Sequence, residues 1–237
     1  MHRIAISPEA KAIGRAQRGG AEFMFETLDL ARTAHVVVDL QNGFMEEGAP
    51  VEVPAAREIV NDVNAISRAI RAGGGVNVFL RMTVDEESLK SWSNWFRHFH
   101  TKDSTAGFQD AFGRGCHYWT LWPELEVDPS TDVLVDKTRF GAFVPGASQL
   151  HEVLQGRGID TLIITGTLSN CCCESTARDA MQMNYKLIFV SDANAALTDA
   201  QHNATLDNMC MLFADVRPTV EVLGVIAASA RQTQAAE

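Results

Sequence analysis

The chain has 237 residues, of which 46% are hydrophobic, and a formal net charge of −10. This length is compatible with one α/β domain, and the acidic balance argues against a nucleic-acid binder, which would carry a basic patch or stripe. No apolar run approaches the roughly 18 residues of a membrane span, the charged N-terminal stretch has no apolar signal core, and the five cysteines lack disulfide-framework spacing. We therefore expect a cytoplasmic protein with free thiols and with neither nucleic-acid nor membrane partners.

A polar leader, residues 1–30, precedes the first strong strand pattern. The β-branched run at 34–40 predicts a buried strand, and Pro54 opens a segment whose apolar residues recur at helical spacing. A second apolar run at 76–80 predicts the next strand. We divide the chain into the leader, expected to pack on the domain or on a neighbouring subunit, and one domain over 31–237.

The rest of the chain alternates between strand and helix patterns, apart from an irregular segment at 84–130 that contains all four tryptophans. Apolar runs predict further strands at 132–136, 161–165, 186–190 and near Val216. Helical patterns lie at 145–155, from the cysteine segment to 183, at 199–213 and from Pro218 onwards. This alternation predicts a three-layer α/β/α domain with a parallel sheet of about six strands covered on both faces.

Three kinds of reactive side chain follow the predicted strands, at the edge where parallel sheets bind ligands. Asp39 lies near the end of the first strand, Lys137 directly follows the third, and three adjacent cysteines, 171–173, follow the fourth. Adjacent thiols lack the spacing of a zinc-chelating pair and the geometry for a disulfide with each other. Singly, these residues are better explained as a turn former, a solvated lysine and buried filler. Together, an acid, an amine and a thiol make a nucleophile with its base and a charge stabiliser.

Three segments resemble the signature motifs of the isochorismatase-like cysteine hydrolases. They are DLQNGF at 39–44, KTRFGAF at 137–143 and TGTLSNCCCESTARDA at 165–180. The resemblance extends over about 30–225 and is greatest toward the amidohydrolase branch, which includes ureidoacrylate, N-carbamoylsarcosine and streptothricin hydrolases. It implies a Rossmann-like, isochorismatase-like fold.

The family pattern also assigns roles within these segments. It implies that Cys172 is the nucleophile and that Asp39 and Lys137 complete a catalytic triad. It further implies a non-proline cis peptide between Thr167 and Leu168, and an oxyanion hole formed by the backbone N–H groups of Leu168 and Cys172. Successive helical residues point about 100° apart, so only one of the three thiols can face the rest of the triad. We expect the helix N-terminus and Lys137 to lower the pKa of that thiol.

This chemistry predicts an amidohydrolase that cleaves the C–N bond of a small amide, carbamoyl or ureido substrate through a thioester. Asp39 would take the thiol proton and return it to the leaving nitrogen. Two alternatives stay open: a vinyl-ether hydrolase of the isochorismatase type, which needs the acid more than the thiol, and a non-catalytic binding relative.

Further predictions concern the substrate pocket, cofactors and assembly. The candidates for substrate contact are Gln41, Phe44, Arg139, Phe140, Phe143 and Asn170. Nicotinamidases of this family carry a metal-binding histidine soon after the first strand, whereas the stretch at 45–54 has none, so we predict no metal and no cofactor. The aromatic segment predicts apolar contacts between chains, and with the resemblance it favours a homodimer or homotetramer.

Overall fold

The computed structural model describes residues 1–236, with side chains through residue 232. Its strands are β1 (Thr33–Val38), β2 (Val76–Met82), β3 (Val133–Lys137), β4 (Thr161–Thr167), β5 (Lys186–Ala195) and β6 (Asp215–Arg217). All pair in parallel, in the order β3-β2-β1-β4-β5-β6. This confirms the predicted α/β fold with a parallel sheet of about six strands.

Helices connect the strands. The α-helices are α1 (Pro8–Gln17), α2 (Asn42–Met45), α3 (Val60–Ala72), α4 (Glu86–Ser91), α5 (Ser93–His98), α6 (Lys102–Phe112), α7 (Leu150–Gly156), α8 (Glu174–Gln182), α9 (Asp199–Asn208) and α10 (Thr219–Ala236). Two π-helical turns, Ser169–Cys173 and Met209–Phe213, precede α8 and follow α9. No helix in residues 1–236 is both long and apolar enough to cross a membrane.

The sheet has an apolar core on each face, because successive side chains of the buried strand β1 point to opposite sides. Val37 packs into the core that also contains Val63 of α3. Val36 and Val38 pack into the second core, which contains Leu150 of α7 and residues of α8. Since β1 is a central strand, its carboxyl end lies in the middle of the sheet edge.

The aromatic segment, residues 84–130, contains the short helices α4, α5 and α6 where the sequence indicated irregular structure. The Asp85 carboxylate caps α4 by accepting from the Ser88 amide at 2.8 Å, and Thr101 caps α6. Such short helices depend on caps and tertiary packing, so their hydrophobic periodicity is too brief to recognise. Several of its rings pack on one another within the chain, whereas Phe99 is 80% exposed. The homodimer or homotetramer stays a prediction for light scattering to test.

The leader lies on the chain's own domain, against α9, the π-helical turn after it and the edge strand β6. Arg18 donates from Nη2 to the carbonyl oxygens of Cys210 and Ala214, both at 2.8 Å. The buried Asp215 carboxylate accepts from the Met24 amide at 2.8 Å. These bonds attach the leader to the opposite end of the sheet from β3.

Candidate active site

Asp39 lies directly beyond β1 with its side chain fully buried. Its φ of 52° is in the left-handed region, which aspartate adopts more readily than most residues. The backbone is held there because its amide donates to Leu80 O at 3.1 Å and its carbonyl accepts from Gln41 N at 2.8 Å. The carboxylate therefore has a defined direction at the sheet edge.

Lys137 ends β3 and is also fully buried. It pairs in register with Met82 of β2, the strand between β3 and β1, so its side chain extends past the end of β2 to reach Asp39. Its Nζ lies 2.7 Å from Asp39 Oδ2 and donates to Arg139 O at 3.1 Å. Neither Asp39 oxygen accepts a hydrogen bond of ordinary angular geometry from a described residue, so this contact is an ion pair.

Cys172 lies in the π-helical turn between β4 and α8 and is 4% exposed. The Leu168 carbonyl accepts from the amides of Cys171 and Cys173, each at 3.1 Å, so the Cys172 amide belongs to neither bond. The peptide bond between Thr167 and Leu168 is cis. The Leu168 and Cys172 amides of this turn stay the oxyanion donors predicted from the resemblance.

Gly166 allows β4 to reach this turn. Its φ is 123°, and a Cβ at this position would lie 2.1 Å from Val38 O. Only glycine has both the required backbone freedom and the space for such a close approach. The strand β4, which leads to the thiol, therefore lies directly against β1, which leads to Asp39.

Burial and charge set the protonation states of the three groups. Burial raises the pKa of Asp39, while Lys137 and Cys172 oppose that rise. Burial would lower the pKa of Lys137, but Asp39 and Cys172 raise it above its ordinary value, so the amine stays an ammonium. The hydrogen bond with Cys171 and burial raise the pKa of Cys172 well above its ordinary value, against the effect of Lys137. The Cys172 thiol is therefore neutral at rest, which differs from the lowered pKa expected from sequence.

The three adjacent thiols have different surroundings. Cys173 is fully buried in the second core, and burial raises its pKa. Cys171 is only partly buried, and its hydrogen bond with Cys172 lowers its pKa. Of the three, Cys172 is the one that is buried and that shifts the pKa of both Asp39 and Lys137.

Gln41 and Phe44, both predicted to contact substrate, are built into the fold. The Gln41 side chain accepts from Met82 N at 2.7 Å and donates to Met82 O at 3.0 Å and to Trp119 O at 2.8 Å. Its amide therefore ties the aromatic segment to the sheet edge, with its oxygen and its nitrogen both bonded to backbone groups. Phe44 is buried and packs on Phe112, with ring centroids 5.0 Å apart.

The other four predicted contact residues separate into two groups. Phe140 lies 4.9 Å from the Trp92 ring, and Arg139 lies over the same ring and donates to Ser91 Oγ at 2.9 Å. Phe143 packs instead on Tyr185, and Asn170 is exposed. Arg139 and Phe140 thus join the aromatic cluster beyond Lys137.

Some hydrogen bonds around the turn were not anticipated from sequence. Ser169 Oγ bonds to His202 Nδ1 at 2.7 Å, and Thr167 Oγ1 donates to Ala195 O at 3.2 Å. The face of α9 on which the leader lies did have a sequence pattern: Asp199, Asn203 and Asp207 recur every four residues, which places them on one face of a helix.

A metal site can be assessed from the donor set. Residues 1–236 contain no group of three or more His, Cys, Asp or Glu side chains arranged to hold a metal ion. The expected independence from metal stays a prediction, since this finding concerns side-chain placement alone.

Comparison with known proteins agrees with the fold and the motifs. The Isochorismatase domain family matches residues 33–221. Ureidoacrylate amidohydrolase RutB of Agrobacterium fabrum is 27% identical over 87% of this chain and 95% of its own length. The isochorismatase family protein YwoC of Bacillus subtilis is 31% identical over 83% of this chain and 95% of its own. A cysteine hydrolase structure from Pseudomonas syringae pv. phaseolicola 1448A superposes with a TM-score of 0.73 at 28% identity, covering 85% of this chain and 95% of that one. The chain belongs to the isochorismatase family of cysteine hydrolases.

Proposed function

We propose that this protein is an amidohydrolase whose nucleophile is Cys172 and whose general base is Asp39. The observation that carries the proposal is the buried ion pair between Asp39 Oδ2 and Lys137 Nζ, 2.7 Å apart, which interacts with a buried thiol at the same sheet edge. Isolated buried charges are costly, and burying this pair beside a thiol suits a site that moves a proton.

The first half-reaction starts from a neutral thiol. As Cys172 Sγ attacks the substrate carbonyl carbon, the thiol proton passes to Asp39, whose raised pKa makes it a better acceptor than an ordinary aspartate. The Lys137 ammonium stabilises the negative charge that develops on Cys172 Sγ as its proton leaves. The carbonyl oxygen becomes an oxyanion, which the amides of Leu168 and Cys172 would bind, and losing one such donor typically costs roughly 10²–10³ in rate.

The second half-reaction releases the products. Collapse of the tetrahedral intermediate breaks the C–N bond, and the proton on Asp39 goes to the leaving nitrogen, which departs as ammonia or an amine. This leaves a thioester on Cys172. Asp39 then takes a proton from water, whose oxygen attacks the thioester carbon. The C–S bond breaks, and Asp39 returns that proton to the departing sulfur, which releases the acid and restores the free thiol and the ionised base.

The substrate class is a small amide, carbamoyl or ureido compound. The naming of a relative as a ureidoacrylate amidohydrolase supports a ureido group. Arg139 supports an additional acidic group, because its partly buried guanidinium faces Trp92, feels the charge of Asp85 and forms no ion pair within 4.0 Å with a side chain of residues 1–232. A substrate carboxylate would supply the missing anion.

Ammonia release across a panel of amides tests this function. Each neutral ureido, carbamoyl or aromatic amide is paired with a carboxylate-bearing analogue, and a vinyl-ether substrate is included. We expect ammonia from at least one ureido or carbamoyl compound, loss of that activity in Cys172→Ala and its retention in Cys171→Ala. Full turnover by Cys172→Ala, or cleavage of the vinyl ether alone, would show that the chemistry is different.

A further inference from the structure

The leader is bound along one face of α9 by side chains spaced four residues apart. Asn203 accepts from the Ala5 amide at 2.7 Å and donates to Arg3 O at 2.9 Å. Asp207 accepts from the Ser7 amide at 2.8 Å. Because these side chains bind leader backbone, they set the position of the leader along α9 and deliver its first residues to a defined place.

The residue delivered there is His2, whose side chain is only 7% exposed. Its Nδ1 bonds to Asp199 Oδ1 at 2.7 Å, and its Nε2 accepts from the Ala196 amide at 3.0 Å. Since an amide N–H can only donate, Nε2 is unprotonated and the ring proton is on Nδ1. The ring stacks on His202 with centroids 4.5 Å apart and an interplanar angle of 16°.

Two routes lead from His2 to the oxyanion segment, which we define as residues 167–169: one starts with the ring stack on His202 and the other with the hydrogen bond to Ala196. Through the stack, His2 supports His202, whose Nε2 donates to Ser191 O at 2.9 Å and whose Nδ1 therefore accepts from the Ser169 hydroxyl at 2.7 Å. Through Ala196, His2 holds the end of β5, where the Ala195 carbonyl accepts from Thr167 at 3.2 Å. Both residues that flank Leu168 are thus held by groups that His2 supports: the His202 ring for Ser169 and the Ala195 carbonyl for Thr167.

We propose that His2 is a positioning residue for the oxyanion segment, so that the leader, which lies outside the matched family domain, is part of the catalytic apparatus. The inference rests on the proposed function only for its catalytic readout. An oxyanion donor must lie within a few tenths of an ångström of its required position, and small displacements can cost a large part of the rate. Ser169 and Thr167 hold Leu168 in place, and His2 holds the groups to which they bond.

The test compares three substitutions in the full-length chain, with the best substrate of the amide panel. His2→Phe keeps an aromatic ring against His202 but removes both hydrogen bonds, so kcat should fall roughly tenfold while KM stays within about twofold. His2→Gln keeps one donor and one acceptor and should recover most of kcat. Arg3→Ala is the matched control and should match the parent, because the exposed Arg3 side chain makes no hydrogen bond or ion pair with a side chain of residues 1–232 and contacts Asn203 only through its backbone carbonyl.

Hydrogen exchange gives a readout that does not depend on turnover. In His2→Phe, the amides of residues 167–173 should exchange faster, whereas those of β1 should be unchanged. If His2→Phe does not fold, Asn203→Ala, which releases the leader backbone, should produce the same local change. If the parent hydrolyses nothing on the panel, the proposed function fails, and exchange at 167–173 still decides this inference. Unchanged exchange there, or an unchanged kcat in a folded His2→Phe protein, would overturn it.

Discussion

The candidate site and the aromatic cluster beyond Lys137 are held together by different forces, and we call them the polar wall and the aromatic wall. The polar wall comprises Asp39, Lys137 and the oxyanion segment, and each member is positioned by an ion pair or by directional hydrogen bonds. The aromatic wall, formed by the cluster around Trp92 and Phe140, is held by ring contacts, including the stacked pair of Trp92 and Trp95 at 4.3 Å. Directional bonds allow one geometry, whereas ring contacts tolerate several. Catalysis should therefore depend on the polar wall, and substrate fit should depend on the aromatic wall.

The energies point the same way. Leaving a buried polar group without its partner costs about 1–3 kcal/mol, and more when the group is charged. An aromatic pair contributes about 0.5–1.5 kcal/mol beyond the area it buries. Substitutions in the polar wall should thus change kcat and stability strongly, while substitutions in the aromatic wall should change KM moderately.

The largest effect is expected from breaking the buried ion pair. Lys137→Met leaves the fully buried Asp39 carboxylate without its cation, so we expect a loss of about 3–5 kcal/mol in the free energy of unfolding. Turnover should fall by a factor of about 10³ or more, because the base and the thiol lose their charge stabiliser. Urea denaturation and steady-state kinetics measure the two effects, with the exposed Lys90→Met as the control.

The double variant Asp39→Asn with Lys137→Met sharpens that test. It removes both charges, so most of the lost stability should return while activity stays absent. If the losses in the free energy of unfolding caused by Asp39→Asn and by Lys137→Met simply add in the double variant, the two residues do not act as a pair, and the polar wall is not held by this ion pair.

A second prediction concerns the pH dependence of the polar wall. Burial raises the pKa of Asp39 above the ordinary aspartate value of 3.8. The base must be ionised, so kcat/KM for a neutral substrate should rise with pH through a single acidic limb centred above that value. Lys137, whose pKa is raised, remains protonated across this range. A limb at or below 3.8, or a profile flat down to that pH, would contradict the role of Asp39 as base.

The aromatic wall should respond differently. Trp92→Ala removes a ring that contacts Trp95, Phe140 and the Arg139 guanidinium. We expect KM to rise about 3–10-fold, the equivalent of one aromatic contact, with kcat changed less than about twofold. Phe99→Ala, which removes an aromatic side chain that is 80% exposed, is the matched control and should change neither constant. A larger effect on kcat than on KM would mean that the aromatic wall also positions the reacting groups.

The two walls also differ in how far they could be predicted from sequence. The positions of Asp39, Lys137 and the cysteines follow from local patterns, because each directly follows a recognisable strand and parallel strands bring their carboxyl ends to one edge. The contact of Gln41 with Met82 and Trp119 depends on residues 41 and 78 positions away. Nothing local distinguishes a glutamine that closes such a bridge from one that faces a substrate.

The leader shows the same limit more strongly. His2 bonds to Asp199, 197 residues along the chain, so its place beneath the oxyanion segment could not be derived from neighbouring residues. The resting protonation state of Cys172 was likewise not predictable, since the effect of Lys137 could be inferred from the motif but the degree of burial could not. Both features depend on packing between segments that are distant in sequence.

The smallest effect on turnover is expected from Cys171→Ala, and it distinguishes Cys171 from Cys172. Removing the Cys171 thiol takes away the hydrogen bond that raises the pKa of Cys172, while burial still keeps that thiol neutral at rest. Because Asp39 generates the thiolate only during attack, Cys171→Ala should change kcat less than about twofold, the range of a surface substitution.

Iodoacetamide should behave differently from substrate, because Cys171 is more accessible and has the lowered pKa, so peptide mapping should find it labelled alongside or ahead of Cys172. Protein labelled at Cys171 alone should retain turnover apart from steric hindrance, whereas label on Cys172 should abolish it. Loss of turnover in Cys171→Ala, with Cys172 intact, would mean that the assignment of Cys172 Sγ as the nucleophile is wrong.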